Sequence, residues 1–389
     1  MAEIGDLSAA PEQLGFDPKA LGAVAAVVRR GMEQGAYPAA VYMVLRYGKI
    51  AAHGAIGSAQ PYRDPPIATE MDTVFDMASL TKPMTATLLL QCVERGDLHL
   101  GMRVADFLPE AADTPSGPLT LFQLATHTSG LPAWKPLYKT ERASALDEIL
   151  ATELEAEPGT RYTYCDLGYI LLGTVLERVT GRPLDGLARE RIFEPLEMRR
   201  SGYCPDPGTH SSIAATANCP WREGKTLVGQ VHDANAHSMK GVSGHAGLFS
   251  TAPDMARFAV SLFQRAEAER VGIPPMLGPY AAGLAKKRQT DPAIGGHSIG
   301  WFTIPNDMLP RGDLLSDRTV GHTGFTGTLL LHDPGCGVTL LLLTNRVYAP
   351  GDGAAIGRAR RLFANAVAGA IDQSRVRRRA RSQQGESDE

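Results

Sequence analysis

Phe75-Asp76-Met77-Ala78-Ser79-Leu80-Thr81-Lys82-Pro83-Met84 runs directly into the apolar stretch Leu88–Val93, and a helix must begin inside it. Proline is tolerated only in a helix's first turn, because further in its ring clashes with the preceding turn and a backbone donor is lost; Pro83 therefore places the start near Ser79. In its plainest reading the serine caps that helix. The spacing also carries chemistry. Ser79 and Lys82 are three apart, on one helix face and one turn from each other, so the amine can reach the hydroxyl. The positive end of the helix and local burial would both draw the lysine toward its neutral form, giving a base that works near neutrality beside a serine nucleophile.

Outward from this helix the pattern divides. Asp17-Pro18 followed by Leu21, Val24, Val28 and Met32 predicts a capped amphipathic helix with Gly35 past its end. Val41–Arg46 and Ile50–Ile56, separated by Tyr47-Gly48-Lys49, predict an antiparallel hairpin. Near the other end 297–304, 328–332 and 338–344 are strand-like, the last two joined by Asp333-Pro334-Gly335. Ile356, Leu362, Phe363, Val367 and Ile371 then recur at helical spacing. Between these ends the pattern is mostly helical, at about 80–95, 120–127 (opened by the capping box Thr120 to Gln123), 142–154, 168–179 and 184–193. Strands at both ends with helices between predict one sheet shared by the terminal segments. The expected division is an α/β domain of residues 1–78 and 246–371, a mainly helical domain of 79–245, and a disordered tail of 372–389 almost without apolar residues.

Composition excludes several classes. The 389 residues are 43% hydrophobic and 21% charged, with 41 Gly and 27 Pro, the balance of a turn-rich globular protein. A net charge of -3 gives no basic field for phosphate backbones, so no nucleic-acid partner is expected. No apolar run approaches the ~18 residues of a membrane helix, and the first residues lack the basic and apolar regions of an export signal, so no membrane partner and a cytoplasmic location are expected. Cys92, Cys165, Cys204, Cys219 and Cys336 are odd in number without CxxC spacing, which predicts free thiols and neither a disulfide framework nor a zinc site. No cofactor is expected. No residue pattern points to an oligomeric state.

Two further segments carry polar groups at junctions. In Pro158-Gly159-Thr160-Arg161-Tyr162-Thr163-Tyr164-Cys165-Asp166-Leu167-Gly168-Tyr169, a helix follows the loop. Tyr164 reads plainly as a half-buried anchor and Asp166 as an N-cap. A phenol held near a lysine ammonium could instead be lowered enough to take a serine proton. In Val320-Gly321-His322-Thr323-Gly324-Phe325-Thr326-Gly327 the glycines allow a bulge, or a strand edge that presents amides to a substrate carbonyl.

Taken together, SLTK, YCD and HTG, in that order, resemble the serine β-lactamase and penicillin-binding-protein superfamily, in its class C-like branch with family VIII carboxylesterases and D,D-peptidase-like proteins. Ala125–Pro132 resembles that family's LLTHTSGLP loop and Gly244–Thr251 its GHAGLFST segment. The resemblance spans roughly Ala10 to Ile371. It implies a β-lactamase/transpeptidase-like α/β sandwich, an antiparallel sheet flanked by helices plus a mainly helical region, with the active cleft between. It implies Ser79 as nucleophile, Lys82 beside it, and Tyr164 as the general base that also protonates the leaving group. The backbone amides of Ser79 and Phe325 would form the oxyanion hole, and Asp166, His322, Thr323, Gly324 and Phe325 would line the substrate.

Two departures bear on substrate. Relatives that cleave lactams commonly carry Asn where Asp166 stands and Lys where His322 stands. An ionised Asp cannot donate to an acyl amide carbonyl but can hold Lys82 by charge, and a histidine near neutrality is only a fractional cation for a substrate carboxylate. Both favour a small neutral ester, so the expected activity is a carboxylesterase acting on small-molecule ester or amide substrates, with a D,D-peptidase, a weak β-lactamase or an acyltransferase as alternatives. Gly296-His297-Ser298-Ile299-Gly300 matches a GxSxG nucleophile elbow, but no apolar strand precedes it and a strand-like stretch follows, so Ser298 is not expected to be the nucleophile. His232, Asp233, His237 and His245 lack metal-ligand spacing and are expected to be polar loop residues facing the cleft, with no metal.

Overall fold

The structure is a computed structural model that describes residues 7–219, 222, 224–348 and 353–372. The expected tail lies outside the described residues apart from Asp372. Six strands form one antiparallel sheet: β1 (Ala39–Arg46), β2 (Lys49–Gln60), β3 (Ile67–Ala68), β4 (Val320–Thr323), β5 (Leu329–Asp333) and β6 (Val338–Thr344), in the order β3-β2-β1-β6-β5-β4. The two chain ends therefore meet at the β1–β6 pair, where Val41 faces Leu343 and Met43 faces Leu341. Tyr47 and Gly48 take φ +50° and +74° between β1 and β2, the double left-handed turn that suits a tight hairpin.

Every residue of β1 is buried, because both faces of the sheet are covered. The helices that cover it and build the rest of the site are α1 (Pro18–Gly22), α2 (Val24–Glu33), α3 (Thr81–Glu94), α4 (Leu121–Ala125), α5 (Asp166–Thr180), α6 (Ala252–Phe263) and α7 (Gly353–Gly369). The strand alternation assigns the faces: Tyr42, Val44, Leu340 and Leu342 pack with Val24, Val28 and Phe363 of α2 and α7, while Met43, Leu45, Leu341 and Leu343 share a core with α3, α5 and α6. The single helix expected after Asp17 is two, α1 and α2, with Asp17 Oδ1 accepting from Ala20 N at 2.7 Å as the cap.

Helix α3 is buried on nearly all sides and threads the second core. Pro83 sits in its first turn as expected, but Ser79 caps nothing: a 3-10 turn, Ala78–Leu80, leads into the helix and no side chain caps either. The serine is thus left available. The box Thr120 to Gln123 does cap α4 reciprocally, at 3.2 and 2.9 Å. On α5 the cap is Cys165, whose sulfur accepts from Gly168 N at 3.4 Å, so Asp166 is the first helical residue and its carboxylate points elsewhere.

Residues 297–304 are not the expected strand. Gly300 at φ +87° turns the chain back, Ser298 N donates to Trp301 O at 3.0 Å, and only single bridges join His297 to Phe302 and Phe302 to Gly321. A Cβ on Gly300 would lie 2.4 Å from Ala86, so this turn presses directly on α3. A small three-stranded sheet, Phe75–Asp76 and Gly202–Tyr203 on either side of Leu248–Ser250, brings the serine turn against the GHAGLFST segment. No helix among the described residues is long and apolar enough to cross a membrane.

Candidate active site

The serine turn is held from both sides. Ala78 takes φ +46°, a left-handed conformation that L residues adopt only when the surroundings impose it, and its N–H donates to Asp76 Oδ1 at 2.9 Å. Asp76 Oδ2 accepts from His232 N at 2.8 Å; burial pushes this carboxyl up to about 6 against those two bonds. From the sheet side, Thr326 and Thr328 hydroxyls donate to Asp76 O (2.7 Å) and Met77 O (3.1 Å). A Cβ on Gly324 would lie 2.5 Å from Met77 O, so only glycine lets the end of β4 reach the turn. Buried Arg360 on α7 donates to Gly324 O and Thr328 O, each at 2.9 Å, and completes the brace. Ser79, half-buried, and Phe325, 58% exposed, thereby share the wall of one cavity of about 1160 Å³.

Lys82 is fully buried and its ammonium has an acceptor for each proton: Ser79 Oγ at 3.0 Å, Asp166 Oδ1 at 2.7 Å and His245 O at 3.3 Å. Desolvation works to neutralise the amine, but the Asp166 carboxylate outweighs it and the lysine is raised above its ordinary value. The Asp166 carboxylate thus works against the neutral lysine base expected from the helix start and burial, and an ammonium has no lone pair with which to take the Ser79 proton. The phenol of Tyr164 is likewise not lowered overall. Its ring lies 4.7 Å from the Lys82 ammonium, yet burial raises the phenol despite the opposing positive charge, so at rest it carries its proton. The buried hydroxyl faces Lys82 and Ser79, and its interactions with both work against that rise.

Behind Tyr164 lies a group of buried imidazoles. His127 lies tilted 4.6 Å from the phenol ring, His297 meets His127 at 5.0 Å, and His322 lies 6.0 Å from Tyr164. Burial lowers all three, His297 to about 4, so they are neutral at pH 7. His322 is the expected substrate residue that the structure does not place at substrate: it is 0% exposed, and its Nδ1 bonds to Thr323 O at 2.8 Å. Asp166, Thr323, Gly324 and Phe325 do line the cavity with Ser79 and Tyr164.

The cavity also holds residues that the motifs did not assign. Asp233 and His245 line it, bonded to each other at 2.9 Å. Burial works to raise Asp233, but His245, the Ala236 amide and Lys82 overcome it and hold the carboxyl well below the usual range. One atom each of Asp166, Asp233 and His245 come within 4.8 Å of one another, beside the Lys82 ammonium that supplies positive charge there. Arg346 and Arg358 lie on the same cavity wall, with the guanidinium of Arg346 4.6 Å over the Phe325 ring. Asp233 and His245 were legible as polar loop residues facing the cleft; the arginines had no local signal.

A helix-start serine bonded to a lysine, with a tyrosine opposite and a strand edge alongside, on an antiparallel sheet flanked by helices, defines the β-lactamase/transpeptidase-like fold. The chain belongs to the beta-lactamase family, a family of serine hydrolases, whose model matches residues 24–365. It is 32% identical over 376 residues to the Escherichia coli K12 protein named "Putative D-alanyl-D-alanine carboxypeptidase", covering 87% of this chain and 85% of that one. It is 31% identical over 382 residues to the N-acetylmuramyl-L-alanine amidase of Bacillus subtilis 168, covering 86% and 83%. In fold it is similar to EstCE1, a hydrolase with promiscuous acyltransferase activity (TM-score 0.71, 21% identity, 90% of this chain and 99% of that one). A class C β-lactamase from Rhodobacter sphaeroides is comparably similar (0.69, 22%, 88% and 98%).

Ser298 has no part in this cavity. It is 0% exposed and donates to Ala285 O (2.7 Å) and Trp301 O (3.1 Å), as a turn residue does. Ser79→Ala is expected to abolish hydrolysis without unfolding, whereas Ser298→Ala should lower stability by ~1–2 kcal/mol and keep the chemistry. Turnover and thermal melts of the two variants, measured side by side, check this; retained turnover in Ser79→Ala contradicts it.

Proposed function

We propose that this chain hydrolyses carboxylic acid derivatives through an acyl-enzyme on Ser79, and that its leading substrates are amides of small peptides that carry a carboxylate. The observation that carries this reading is the cavity itself. At about 1160 Å³ it exceeds the ~300–1,000 Å³ of ordinary small-ligand sites, and its wall includes Arg346 and Arg358. Their planar guanidinium groups can bind a carboxylate, the function for which His322 had looked inadequate. His322 is buried behind Tyr164, so its fractional charge does not weigh against acidic substrates. The names of the two curated relatives, a carboxypeptidase and an amidase, agree with an amide substrate.

The chemistry follows from the protonation states. Ser79 Oγ attacks the acyl carbon and the Ser79 and Phe325 amides receive the oxyanion, each such donor being worth roughly 2.7–4 kcal/mol in related sites. Tyr164 acts as a neutral shuttle: its oxygen accepts the Ser79 proton as its own proton passes to the leaving nitrogen, so no phenolate has to exist at rest. The C–N bond breaks and the acyl–oxygen bond remains. Water then repeats the step in reverse, giving its proton through Tyr164 to Ser79 and releasing the acid. Lys82 stays an ammonium throughout and stabilises charge growing on Ser79 Oγ and Tyr164 Oη. Asp166 neutralises Lys82 and presents an acceptor-only oxygen to the cavity, suited to a substrate N–H.

Asp166 also supports a second reading, a small-ester hydrolase, since it offers no donor to an acyl amide carbonyl while an ester needs only Ser79, Tyr164 and the oxyanion amides. A panel of D-Ala-D-Ala peptides, muramyl-L-alanine amides, acetyl and butyryl p-nitrophenyl esters and nitrocefin separates the readings. The expected order of kcat/KM places a carboxylate-bearing linear peptide amide first, ahead of the esters and of the lactam nitrocefin; ester hydrolysis with no turnover of any linear amide overturns the amide assignment and leaves the esterase. Tyr164→Phe removes one hydroxyl and is expected to lower turnover on the best of these substrates by ~10²–10⁴-fold with little change in melting temperature. A loss below about tenfold would show Tyr164 to be a packing residue.

A further inference from the structure

Three polar side chains in the first turns of α3, Thr81, Lys82 and Thr85, grip the segment 244–248. Thr81 Oγ1 accepts from Leu248 N at 3.2 Å, Lys82 Nζ donates to His245 O at 3.3 Å, and Thr85 Oγ1 donates to Gly244 O at 2.8 Å. The segment can come this close because Gly244 has no side chain; a Cβ there would lie 2.1 Å from Tyr169 O on α5. Two of the three acceptors of the Lys82 ammonium, Ser79 Oγ and Asp166 Oδ1, stand at the starts of α3 and α5. The third, the His245 carbonyl, comes from a stretch outside any helix or strand.

That carbonyl is set by its own side chain. The His245 ring is buried, and both its nitrogens are engaged inside the protein: Nε2 with Asp233 Oδ1 at 2.9 Å and Nδ1 with Ser243 Oγ at 2.8 Å. Asp233 Oδ1 is itself fixed by the Ala236 amide at 2.7 Å. With no nitrogen left over, the imidazole is not placed to act on substrate, although it stands on the wall of the active cavity. Its bonds lock the ring, and through it the carbonyl. On the other side Ser243 opens onto a second, separate cavity of about 350 Å³, so the clamp spans the wall between the two.

We propose that His245, clamped by Asp233 and Ser243, is a positioning residue that holds the Lys82 ammonium on Ser79. The reasoning is geometric. A buried ammonium that loses one of three acceptors either leaves an N–H unsatisfied or rotates toward its strongest remaining partner. That partner is the Asp166 carboxylate, and the hydrogen bond to Ser79 Oγ is the one sacrificed. The proposal rests on Ser79 as the nucleophile, but not on which acyl substrate it attacks.

The test is the second-order rate at which a fluorophosphonate labels Ser79, read with kcat, KM and melting temperature for His245→Ala, Asp233→Ala, Asp233→Asn and Ser243→Ala in the full chain. Misplacement of a reacting group by about 1 Å costs ~10²-fold, so His245→Ala and Asp233→Ala are expected to lose roughly 10–100-fold in labelling rate and in kcat, with KM changed less than about threefold. Asp233→Asn keeps an oxygen for His245 Nε2–H and for the Ala236 amide, and is expected to restore most of the rate. Ser243→Ala alters the clamp from the far side, without touching the active cavity, and is expected to lose about three- to tenfold; it keeps the test decisive if His245→Ala does not fold. A folded His245→Ala or Ser243→Ala that labels at the unmodified rate overturns the positioning role, as does Asp233→Asn failing as badly as Asp233→Ala. Absence of labelling in the unmodified protein would instead overturn the nucleophile assignment itself.

Discussion

Lys82 carries its charge with no exposure to solvent, 2.7 Å from the Asp166 carboxylate, and the site is arranged around that pair. A charge removed from water, as that of Lys82 is, is tolerated only when geometry and further hydrogen bonds offset the lost hydration, and Asp166, 19% exposed on the cavity side, supplies the opposite charge. The pair therefore fixes where α3 and α5 begin relative to each other, and each neighbouring element is seen to serve it. The loop at 244–248 supplies the third acceptor, and Cys165 caps α5 so that Asp166 is free to turn toward the lysine. The turn at Ser79 is braced by the end of β4 and by Arg360.

The same pair decides the division of labour. An ammonium cannot accept a proton, and a phenol buried beside it is raised rather than lowered, because burial opposes the phenolate more than the lysine favours it. The apolar and neutral surroundings of Tyr164 reinforce this: His127, His297 and His322 are held uncharged by burial and add no positive field. Proton transfer through a neutral tyrosine, rather than to a standing base, is the mechanism such surroundings permit.

The helix start at Ser79, the facing of Ser79 and Lys82, the hairpin at Tyr47-Gly48 and the shared sheet were legible because each rests on local rules: proline position, helical spacing, positive φ and alternation. What was not legible is what depends on burial. That Asp166 can hold Lys82 by charge was legible, but the direction of the lysine's shift turns on how closely the fold brings positions 82 and 166 together, 84 residues apart in the chain, and on burial, which helical spacing in α3 does not give. His322 looked like a substrate contact because a strand edge was correctly expected there, but its side chain faces inward, behind Tyr164, while Thr323 faces the cavity. Residues 297–304 had strand composition and lost the strand to Gly300, whose left-handed turn is selected by contact with Ala86 on α3. Asp233 and His245 are twelve residues apart and meet only after the intervening short helix folds.

The central claim is that Asp166 keeps Lys82 an ammonium and that the ammonium is the working form. The pH dependence of kcat/KM in the unmodified protein and in Asp166→Asn tests it most directly. Removing the carboxylate leaves desolvation, which favours the neutral amine, without its counterweight, so Lys82 should lose its proton at lower pH. The account predicts that the alkaline loss of activity, which in the unmodified protein lies above the ordinary lysine range of about 10.4, moves toward neutrality in Asp166→Asn. An alkaline limb that stays in the same place in both proteins would contradict it.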